Sequence, residues 1–474
     1  MKKLFSFVLA LCLVLSLAAC GGSATQEGEA ASGSRLLVGF AKADITPEDP
    51  VHMAIYGNET ERISTGFLDY LSAYALAVTG TNGETLLIMC VDHSWFNSDV
   101  GDQLRNSLGK EFDIPAENFI LSGTHNHSAP SISSTASTNT ARYRDTFIQV
   151  VMDIGRKAMA DRKPATMYTG SANAEGLNFV RRYVLKDGTY PNFENVAEDQ
   201  IAGHESEPDD QLQVLKFVRE GGKDIAVFNW QAHSNIVMRN DAKYHLLSAD
   251  IFGNFRAEIE KQLGVECFAW QGAAGNLNPI SQITSEMLTN DQKEYGKLLA
   301  KYGVEAYNNA TEATGTEVSL VTKTYVGTVN HEFDNVALVA QQFMDRAKET
   351  GKSDFVREEG KPYGINTIKH ATRIVSNSRL GPTQDVPLKA FSIGNVGFIC
   401  VYYEMFDTNG MQIKEQSPFK QTFIVGYTES GLGYIPSALV EDHGGYEVDN
   451  NVFVMGTGEE LVAEYLGLLN QLYK

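Results

Sequence analysis

Apolar runs of strand length alternate with longer amphipathic stretches from residue 36 to the end of the chain, and this alternation limits the possible folds more than any other feature. Short apolar runs bounded by turn residues are typical of strands, whereas longer stretches with a helical period are typical of helices. Because the two kinds of segment are mixed throughout, we predict an α/β fold: mixed β-sheets flanked by helices, in a single large domain over residues 36–474.

The first strand is expected to begin at Leu36. Further strands are expected at Tyr74–Thr79, Thr85–Val91, Asn118–Ser122, Gln213–Val218, Ile225–Trp230, Glu266–Trp270, Val318–Val326, Lys389–Ile393, Gly397–Tyr402 and Thr422–Gly426. Helices are expected at Asp99–Lys110, Thr140–Ala160, Ala249–Leu263, Asp291–Asn309, Val336–Thr350 and Glu459–Tyr473. The glycine-containing turns at residues 79–85 and 393–397 are typical of hairpins, so part of the sheet structure is predicted to be antiparallel.

The amino terminus has the pattern of a bacterial lipoprotein signal. Two lysines precede the apolar run Phe5–Ala18, which is too short for a permanent membrane span, and small residues then lead into Cys20. We predict a signal peptide over residues 1–19, followed by lipidated Cys20 and a flexible tether over residues 20–35. The protein is then expected on the extracytoplasmic face of the cell membrane, held by the lipid. An ordinary secretory signal with an incidental cysteine is the alternative.

Composition excludes some classes of protein. The 59 acidic and 39 basic side chains give a net charge of −20, which argues against a nucleic-acid partner because phosphate recognition needs a basic face. Cys90, Cys267 and Cys400 each lie in an apolar run, so we expect buried free thiols rather than disulfides.

Histidines follow two of the predicted strands. His125 and His127 lie in Thr124-His-Asn-His-Ser128, after the strand that ends at Ser122, and His233 follows the strand that ends at Trp230. Two histidines at positions i and i+2 on extended backbone point to one face, and neutral imidazole is a common zinc ligand. If the three converge they would form a metal centre; the alternative is three unrelated loop histidines.

Two further strand ends carry polar or small residues. Asp92-His93 ends the predicted strand Thr85–Val91, which suits a pocket at the sheet end but also a simple turn. Gly272–Pro279 is a loop of small residues where backbone could closely approach a ligand, and it lacks the spacing and the lysine of a phosphate-binding loop.

Taken in order, these segments resemble the catalytic domain of the neutral (non-lysosomal) ceramidase family. The resemblance spans about residues 36–440. It is carried by Gly39-Phe-Ala-Lys-Ala-Asp-Ile-Thr-Pro47, the Val91-Asp92 strand end, Thr124-His-Asn-His-Ser128, Asn178 with Arg181-Arg182, the strand before His233, Leu247-Ser-Ala-Asp250, Gly275-Asn-Leu-Asn-Pro279, the hairpin from Gly394 to Glu404, and Gly426-Tyr with Gly433-Tyr434.

The resemblance implies one Zn²⁺ ion bound by two histidines, a glutamate and a tyrosine. Residue by residue, these ligands are His125, His233, Glu404 and Tyr434, with Tyr427 a poorer match by position. It also implies that His127 lies beside the water on the zinc and that Arg181 or Arg182 faces the substrate carbonyl. Asp92 and Asp250 match acidic positions that support the site.

Such a set of groups has a coherent chemistry. Zinc with nitrogen and oxygen ligands and one open position lowers the pKa of water and generates a nucleophile. A neighbouring imidazole, His127, can carry the proton to the leaving amine, and an arginine can stabilise the oxyanion. The expected activity is therefore zinc-dependent hydrolysis of a linear amide, with a small-molecule or lipid N-acyl amide as substrate.

The chain departs from the family pattern at two places. Residues 271–274 are Gln-Gly-Ala-Ala, without the family's serine, and the Gly-Gly that follows the histidine motif in the family is missing after Pro130. These departures argue against a serine-dependent mechanism and leave the zinc mechanism open. The chain also ends soon after the catalytic part, so we expect no C-terminal β-sandwich domain, and ceramide itself is an open question as substrate.

Two alternatives remain from the sequence. A signal, a tether and a globular domain are also typical of a surface binding lipoprotein, including a ceramidase-like protein that has lost catalysis. A barrel-type amidohydrolase also uses two histidines at a strand end, but it needs eight parallel strand–helix units. The predicted hairpins at residues 79–85 and 393–397 argue against the barrel.

Overall fold

The computed structural model describes residues 35–55, 62–132, 137–191, 196–279, 288–429 and 431–473. The predicted signal peptide, Cys20 and the tether up to residue 34 lie outside these residues, and their assignment stays a prediction. Within the described part of the chain, no helix has both the length and the apolar character needed to cross a membrane.

Twenty-one strands are assigned in the described residues. They are β1 (Leu36–Asp44), β2 (Gly66–Phe67), β3 (Ser72–Thr79), β4 (Thr85–Val91), β5 (Phe119–Gly123), β6 (Lys163–Asn173), β7 (Phe179–Val180), β8 (Tyr183–Leu185), β9 (Ile201–His204), β10 (Gln211–Arg219), β11 (Ile225–Trp230), β12 (Leu246–Leu247), β13 (Glu266–Gln271), β14 (Leu277–Asn278), β15 (Thr311–Glu312), β16 (Val318–Thr328), β17 (Thr383–Ile393), β18 (Val396–Cys400), β19 (Glu404–Met405), β20 (Gln421–Val425) and β21 (Tyr434–Ile435).

The α-helices are α1 (Ser98–Leu104), α2 (Lys110–Phe112), α3 (Thr138–Ala160), α4 (Asp250–Leu263), α5 (Gln292–Asn309), α6 (Ala337–Thr350), α7 (Val356–Glu359), α8 (Ile368–Asn377), α9 (Asp407–Gln416), α10 (Ala438–Glu441), α11 (Tyr446–Asp449) and α12 (Thr457–Leu472). A π-helical turn over Arg105–Gly109 joins α1 to α2, where the sequence predicts one continuous helix. The other predicted helices are present with small shifts at their ends. Asp291 caps α5, because its carboxylate accepts from the backbone N–H groups of Lys293 and Glu294.

Two sheets form the centre of the protein. The large sheet has nine strands in the order β13-β11-β10-β6-β1-β3-β4-β5, with β15 paired to β6, and the smaller sheet has the order β16-β17-β18-β20. Both predicted hairpins are confirmed: β3 pairs antiparallel with β4, and β17 pairs antiparallel with β18. Parallel pairs also occur, between β4 and β5 and between β11 and β13, so the predicted mixed α/β fold is confirmed and the barrel alternative is excluded.

The layers of the fold follow from the alternation of buried side chains along each strand. In β4, Ile88 and Cys90 face the core between the two sheets, whereas Leu87 and Met89 face the core that α3 covers. The rings of Trp270 and Phe398, one from each sheet, lie 6.1 Å apart in the core between the sheets. Strands that are buried on both faces have continuous apolar sequences, so they are easily predicted from the sequence.

Helices cover the outer faces of both sheets. Side chains of α4 and α5 share a core with β10, β11 and β13 on the large sheet. Side chains of α9 and α12 share another core with β17 and β18 on the smaller sheet. The order of layers is therefore helix, sheet, sheet, helix. Cys90, Cys267 and Cys400 are buried free thiols, as predicted.

A helical insertion connects the antiparallel strands β16 and β17. It contains α6, α7 and α8, and its side chains form a separate small core that includes Phe343, Val356 and Ile374. The sequence predicts α6 but not α8, which has a strongly two-sided character: His370, Ala371, Ile374 and Val375 face the small core.

Candidate metal centre

Three buried histidines and one buried glutamate meet at the seam between the two sheets. The ring nitrogens of His125, His127 and His233 that could bind a metal lie within 4.8 Å of one another. Oε2 of Glu404 lies 3.4 Å from Nε2 of His125 and 3.2 Å from Nε2 of His233. The structure therefore brings together four of the residues that the sequence singles out, and the three histidines form a group that could hold a metal ion.

The twist of the large sheet brings the histidines together. His125 and His127 follow β5, and His233 follows β11, which point in opposite directions along the ladder and are six strand positions apart. The sheet curls far enough for β13, at one edge, to contact β4 and β5 at the other edge, and Gln271 of β13 donates to the carbonyl oxygen of Thr124. The two carboxyl ends consequently meet, and a parallel bridge joins Asn126 to Ser234.

The backbone at His125 has an unusual conformation. Its φ is 52°, in the left-handed region that costs a residue with a side chain on the order of 1–2 kcal/mol. The neighbouring loop is held from both sides, because Asn126 donates to the carbonyl oxygens of Asp92 and Ser248. A strained residue held in this way at a cluster of ligand-type side chains is typical of a functional site.

Hydrogen bonds orient His233 and His127. Nδ1 of His233 lies 3.0 Å from the carbonyl oxygen of Leu277. Because a carbonyl oxygen only accepts, Nδ1 carries the proton and Nε2 presents its lone pair toward Glu404. The carbonyl oxygen of His127 accepts from the guanidinium of Arg62 at 2.7 Å, which fixes the position of the second histidine of the motif.

The ionisation of these groups suits metal binding. Burial, together with the positive charge of the adjacent Arg181, lowers the pKa of His233 to about 4. Burial also lowers the pKa of His127 well below its ordinary value, with His125 and His233 adding to the effect. Burial alone would raise the pKa of Glu404, but contact with the imidazoles of His125 and His233, when these carry a proton, outweighs burial and lowers it. Neutral imidazoles and an ionised carboxylate are the protonation states that a metal requires.

Glu404 gives the clearest sign that a cation belongs here. Its Oε2 is buried and has no hydrogen-bond partner among the described residues, although two imidazole Nε2 atoms lie close to it. A buried ionised oxygen without a donor costs free energy unless a cation compensates it. The local backbone places Glu404 in β19, which pairs with β21 so that Glu404 lies opposite Tyr434.

Two tyrosines lie near Glu404, and the structure separates their positions. Tyr434 is buried beside Glu404 in the β19–β21 pair, and the guanidinium carbon of Arg181 lies 5.5 Å from the centre of its ring. Tyr427 stacks on His125 with ring centres 4.0 Å apart, and burial followed by the charge of Glu404 raises the pKa of its hydroxyl. The assignment of Tyr434 rather than Tyr427 as a metal ligand stays a prediction.

The structure distinguishes the two adjacent arginines. Nη1 of Arg181 lies 3.4 Å from Nε2 of His233, and its Nε donates to Glu447 at 2.7 Å. Arg182 instead donates to Glu205 at 2.6 Å and to Glu447 at 2.9 Å. Of the two candidates, Arg181 is therefore the one that reaches the histidines.

The loop of small residues positions other groups instead of lining a phosphate site. The carbonyl oxygen of Leu277 accepts from His233, and the carbonyl oxygen of Gly275 accepts from Arg181 at 2.9 Å. A Cβ atom at Gly275 would lie 2.6 Å from the carbonyl oxygen of Glu404, so only glycine permits this approach.

The two predicted supporting acids lie one layer away from the histidines. Asp92 pairs with Arg256 at 2.6 Å and accepts from Thr124 at 3.4 Å, next to His125. Asp250 accepts from the backbone N–H of Val237 at 3.0 Å, in the loop that follows His233. Both acids thus act on the loops that carry the histidines.

Sequence reasoning missed three neighbours of the site. Glu447 and Glu205 neutralise the two arginines, and Trp95 contacts His125 edge-on with ring centres 4.9 Å apart. Trp95 has a weak signal in the sequence, since it follows the strand end at Asp92-His93. Glu447 lies in the short helix α11 and Glu205 in the loop after β9, and no motif marks either of them.

The sequence model for neutral/alkaline non-lysosomal ceramidase, N-terminal, matches residues 36–350, which is more than half of the chain. The chain belongs to this ceramidase family. The resemblance drawn from the ordered motifs is thereby confirmed, and membership in a ceramidase family supports hydrolysis of an amide bond.

Solved ceramidase structures show the same fold. The crystal structure of neutral ceramidase from Pseudomonas aeruginosa matches with a TM-score of 0.67 and 17% identity, over 92% of this chain and 74% of that chain. A ceramidase complexed with C2 matches with a TM-score of 0.68 and 17% identity, over 92% of this chain and 75% of that chain. These matches confirm the predicted mixed α/β architecture.

Proposed function

We propose that the protein is a zinc-dependent hydrolase of linear N-acyl amides. The observation that carries this proposal is the convergence of His125, His233 and Glu404 in a ceramidase-family fold. The buried Oε2 of Glu404, which lacks a hydrogen-bond donor among the described residues, supports a cation at this point.

The donor atoms fit zinc among the common metals. Two imidazole nitrogens and one carboxylate oxygen form the mixed nitrogen and oxygen set that catalytic zinc sites use, whereas magnesium and calcium prefer oxygen alone. Tyr434 would add a phenol oxygen from the strand next to Glu404. When bound, zinc would supply Lewis-acid activation of water and of the amide carbonyl.

The protein's own residues would divide the remaining work. His127, whose Nε2 lies 3.2 Å from Nε2 of His125, is placed to take a proton from the attacking water and to deliver it to the leaving amine. Arg181 is placed to donate to the oxyanion that develops on the substrate carbonyl. Glu447 holds Arg181 in position through its Nε.

An aromatic wall beside the histidines supports an acylated substrate. Trp95 contacts His125 edge-on, and its ring centre lies 5.4 Å from that of Tyr427. Aromatic faces bind acyl carbons through apolar contact. One structural relative is a ceramidase complexed with C2, which supports a lipid amide as the substrate class of this chain as well.

The same proposal includes the place of the enzyme in the cell. Residues 1–19 would direct export, and lipidated Cys20 with the tether to residue 35 would hold residues 36–474 on the extracytoplasmic face of the membrane. An enzyme held there would meet lipid amides at the membrane surface.

The test is hydrolysis of N-acyl amides by the purified protein before and after metal removal. We expect activity that is lost on chelation and restored by added zinc, and that is lost in His125→Ala and His233→Ala. His331→Ala is the control, since His331 pairs with Asp334 on the surface of the helical insertion. A protein that binds zinc but cleaves no amide would favour the surface binding lipoprotein, and one that cleaves amides without metal would contradict the zinc mechanism.

A further inference from the structure

Two cationic side chains of α8 lie beside the metal centre without an acidic partner. Lys369 and Arg373 are four residues apart, so they lie on the same face of the helix. Neither forms an ion pair or a hydrogen bond with another described residue, and Nε of Arg373 is buried as well. The opposite face of α8 packs into the core of the helical insertion, so this pair is not needed to hold the helix in place.

Arg373 lies directly against the backbone that carries Glu404. A Cβ atom at Gly433 would lie 2.5 Å from Nη2 of Arg373, and the φ of Gly433 is 86°, which favours glycine. The carbonyl oxygen of Gly433 accepts from the backbone N–H of Glu404 at 2.8 Å. The guanidinium of Arg373 is thus separated from the backbone of Glu404 by a single residue.

Lys369 lies about one helical turn before Arg373 in α8. Its side chain is partly open to solvent, but nearby protein removes water from the ammonium group and so lowers its pKa. The negative charge of Glu404 raises this pKa, and the positive charge of Arg373 lowers it. The charged neighbours of Lys369 are the carboxylate of Glu404 and the guanidinium of Arg373.

Two other arginines near the histidines, Arg181 and Arg182, form ion pairs with glutamates, whereas Lys369 and Arg373 form none with a described residue. Arg181 pairs with Glu447, and Arg182 pairs with Glu447 and Glu205. Lys369 and Arg373 thus carry positive charges that no ion pair with a described residue offsets, although the chain as a whole carries a net charge of −20.

Three acids, Glu332, Asp334 and Asp449, line a cavity together with His370 and Arg373 of α8, and Asp334 pairs with His331. Asp449 of α11 lies 3.6 Å from Nδ1 of His370 and accepts from Asn366 at 2.8 Å. It makes no ion pair with Lys369 or Arg373. A bound cation at His125, His233 and Glu404 would add to the positive charge.

We propose that Lys369 and Arg373 bind an anionic group of the substrate, so that the protein acts on N-acyl amides with a carboxylate or a phosphate near the scissile bond. Lysine and arginine form their strongest hydrogen bonds with such anions. The proposal rests on the proposed amide hydrolysis at the same site. Helix α8 lies outside the residues that match the family model, 36–350.

The test compares three amides with one acyl chain: N-dodecanoylglycine, N-dodecanoylethanolamine and the phosphate ester of N-dodecanoylethanolamine. Binding to the full mature chain in the presence of zinc is measured by calorimetry, and turnover is measured separately. We expect at least one anionic amide to bind about tenfold more tightly than the neutral amide, as the loss of one charge-assisted hydrogen bond predicts. The two anionic arms distinguish a carboxylate from a phosphate.

Variants then assign the effect to α8. Lys369→Ala and Arg373→Gln should each weaken binding of the anionic amide about tenfold and leave the neutral amide unchanged, and Arg373→Lys should retain part of the preference. Lys352→Ala, at an exposed lysine outside α8, should change neither. Melting temperatures identify any variant that loses binding through unfolding.

Equal binding of neutral and anionic amides would overturn the proposal, as would α8 variants that weaken both classes alike. Failure of the proposed function looks different. A protein that binds the anionic amide through α8 but cleaves nothing contradicts amide hydrolysis and supports anion binding. A protein that cleaves the neutral amide without any preference for an anion supports hydrolysis and overturns anion binding.

Discussion

Oε2 of Glu404 lies 3.2 Å from Nε2 of His233. Glu404 follows β18 of the smaller sheet, whereas His233 follows β11 of the large sheet. The same oxygen lies 3.4 Å from Nε2 of His125. The candidate metal centre is therefore built across the seam of the two sheets, and it forms only when the two sheets have packed together.

Glu404→Gln should abolish most of the stabilisation that zinc gives. Zinc at a hundred times its dissociation constant stabilises a native protein by about 2.7 kcal/mol, and loss of the carboxylate weakens the site. Thermal unfolding with zinc and with chelator measures the difference in melting temperature. Glu415→Gln, at an exposed glutamate, should keep the full shift. An undiminished shift in Glu404→Gln would exclude Glu404 as a ligand.

Arg181→Lys and Arg182→Lys should separate catalysis from stability. Both lose hydrogen bonds to Glu447, so we expect each to lower the free energy of unfolding by about 1–2 kcal/mol. Only Arg181 reaches His233, so Arg181→Lys should lower kcat by about 100-fold, and Arg182→Lys should retain kcat within about threefold. Urea unfolding and steady-state kinetics measure the two effects. An equal loss of kcat in both variants would contradict the role given to Arg181.

Asp250→Asn should change how stability depends on pH. Burial raises the pKa of Asp250 to about 7, and its Oδ1 has no hydrogen-bond partner among the described residues. A carboxyl with a folded pKa above its unfolded value binds more protons in the native state, so it makes stability fall as pH rises between about 4 and 7.

When the pH rises from 5 to 8, the free energy of unfolding of the wild-type protein should fall by about 3 kcal/mol more than that of Asp250→Asn. Urea unfolding of both proteins at the two pH values measures this difference. Parallel pH profiles for the two proteins would show that Asp250 ionises normally.

Cys20→Ser should release the protein from the membrane if Cys20 carries lipid. A lipid chain supplies the membrane affinity, and the acidic domain contributes little attraction to an anionic surface. Fractionation of the host cells, with immunodetection in the membrane and soluble fractions, measures the outcome. Ser23→Ala is the matched control in the tether. A Cys20→Ser protein that stays in the membrane fraction would contradict lipid anchoring.

The sequence predicts the strands and the histidines well because both leave local signals. Strands buried on both faces are continuous apolar runs, and the histidine motif directly follows β5, so its position at a strand end could be read without the fold. The hairpins at residues 79–85 and 393–397 likewise depend on local turn residues.

The rest depends on contacts between distant parts of the chain. Glu404 and Arg181 could be named only through the family resemblance, because neither lies in a pattern that local physics would mark. The ion pairs of the arginines could not be predicted, since Glu447 reaches them from α11, far along the chain, and Glu205 reaches Arg182 from a loop without a motif. The curl of the large sheet, which brings β13 at one edge against β4 and β5 at the other, is a property of the whole ladder.

The most direct test of the metal centre is a crystal structure of the zinc-loaded protein, with anomalous scattering measured on both sides of the zinc absorption edge. We predict one anomalous peak at about 2.0–2.2 Å from Nε2 of His125, Nε2 of His233 and a carboxylate oxygen of Glu404. The same map would show whether Tyr434 or Tyr427 supplies the phenol oxygen. A fully occupied zinc peak elsewhere, or no peak between these three side chains, would contradict the proposed zinc site.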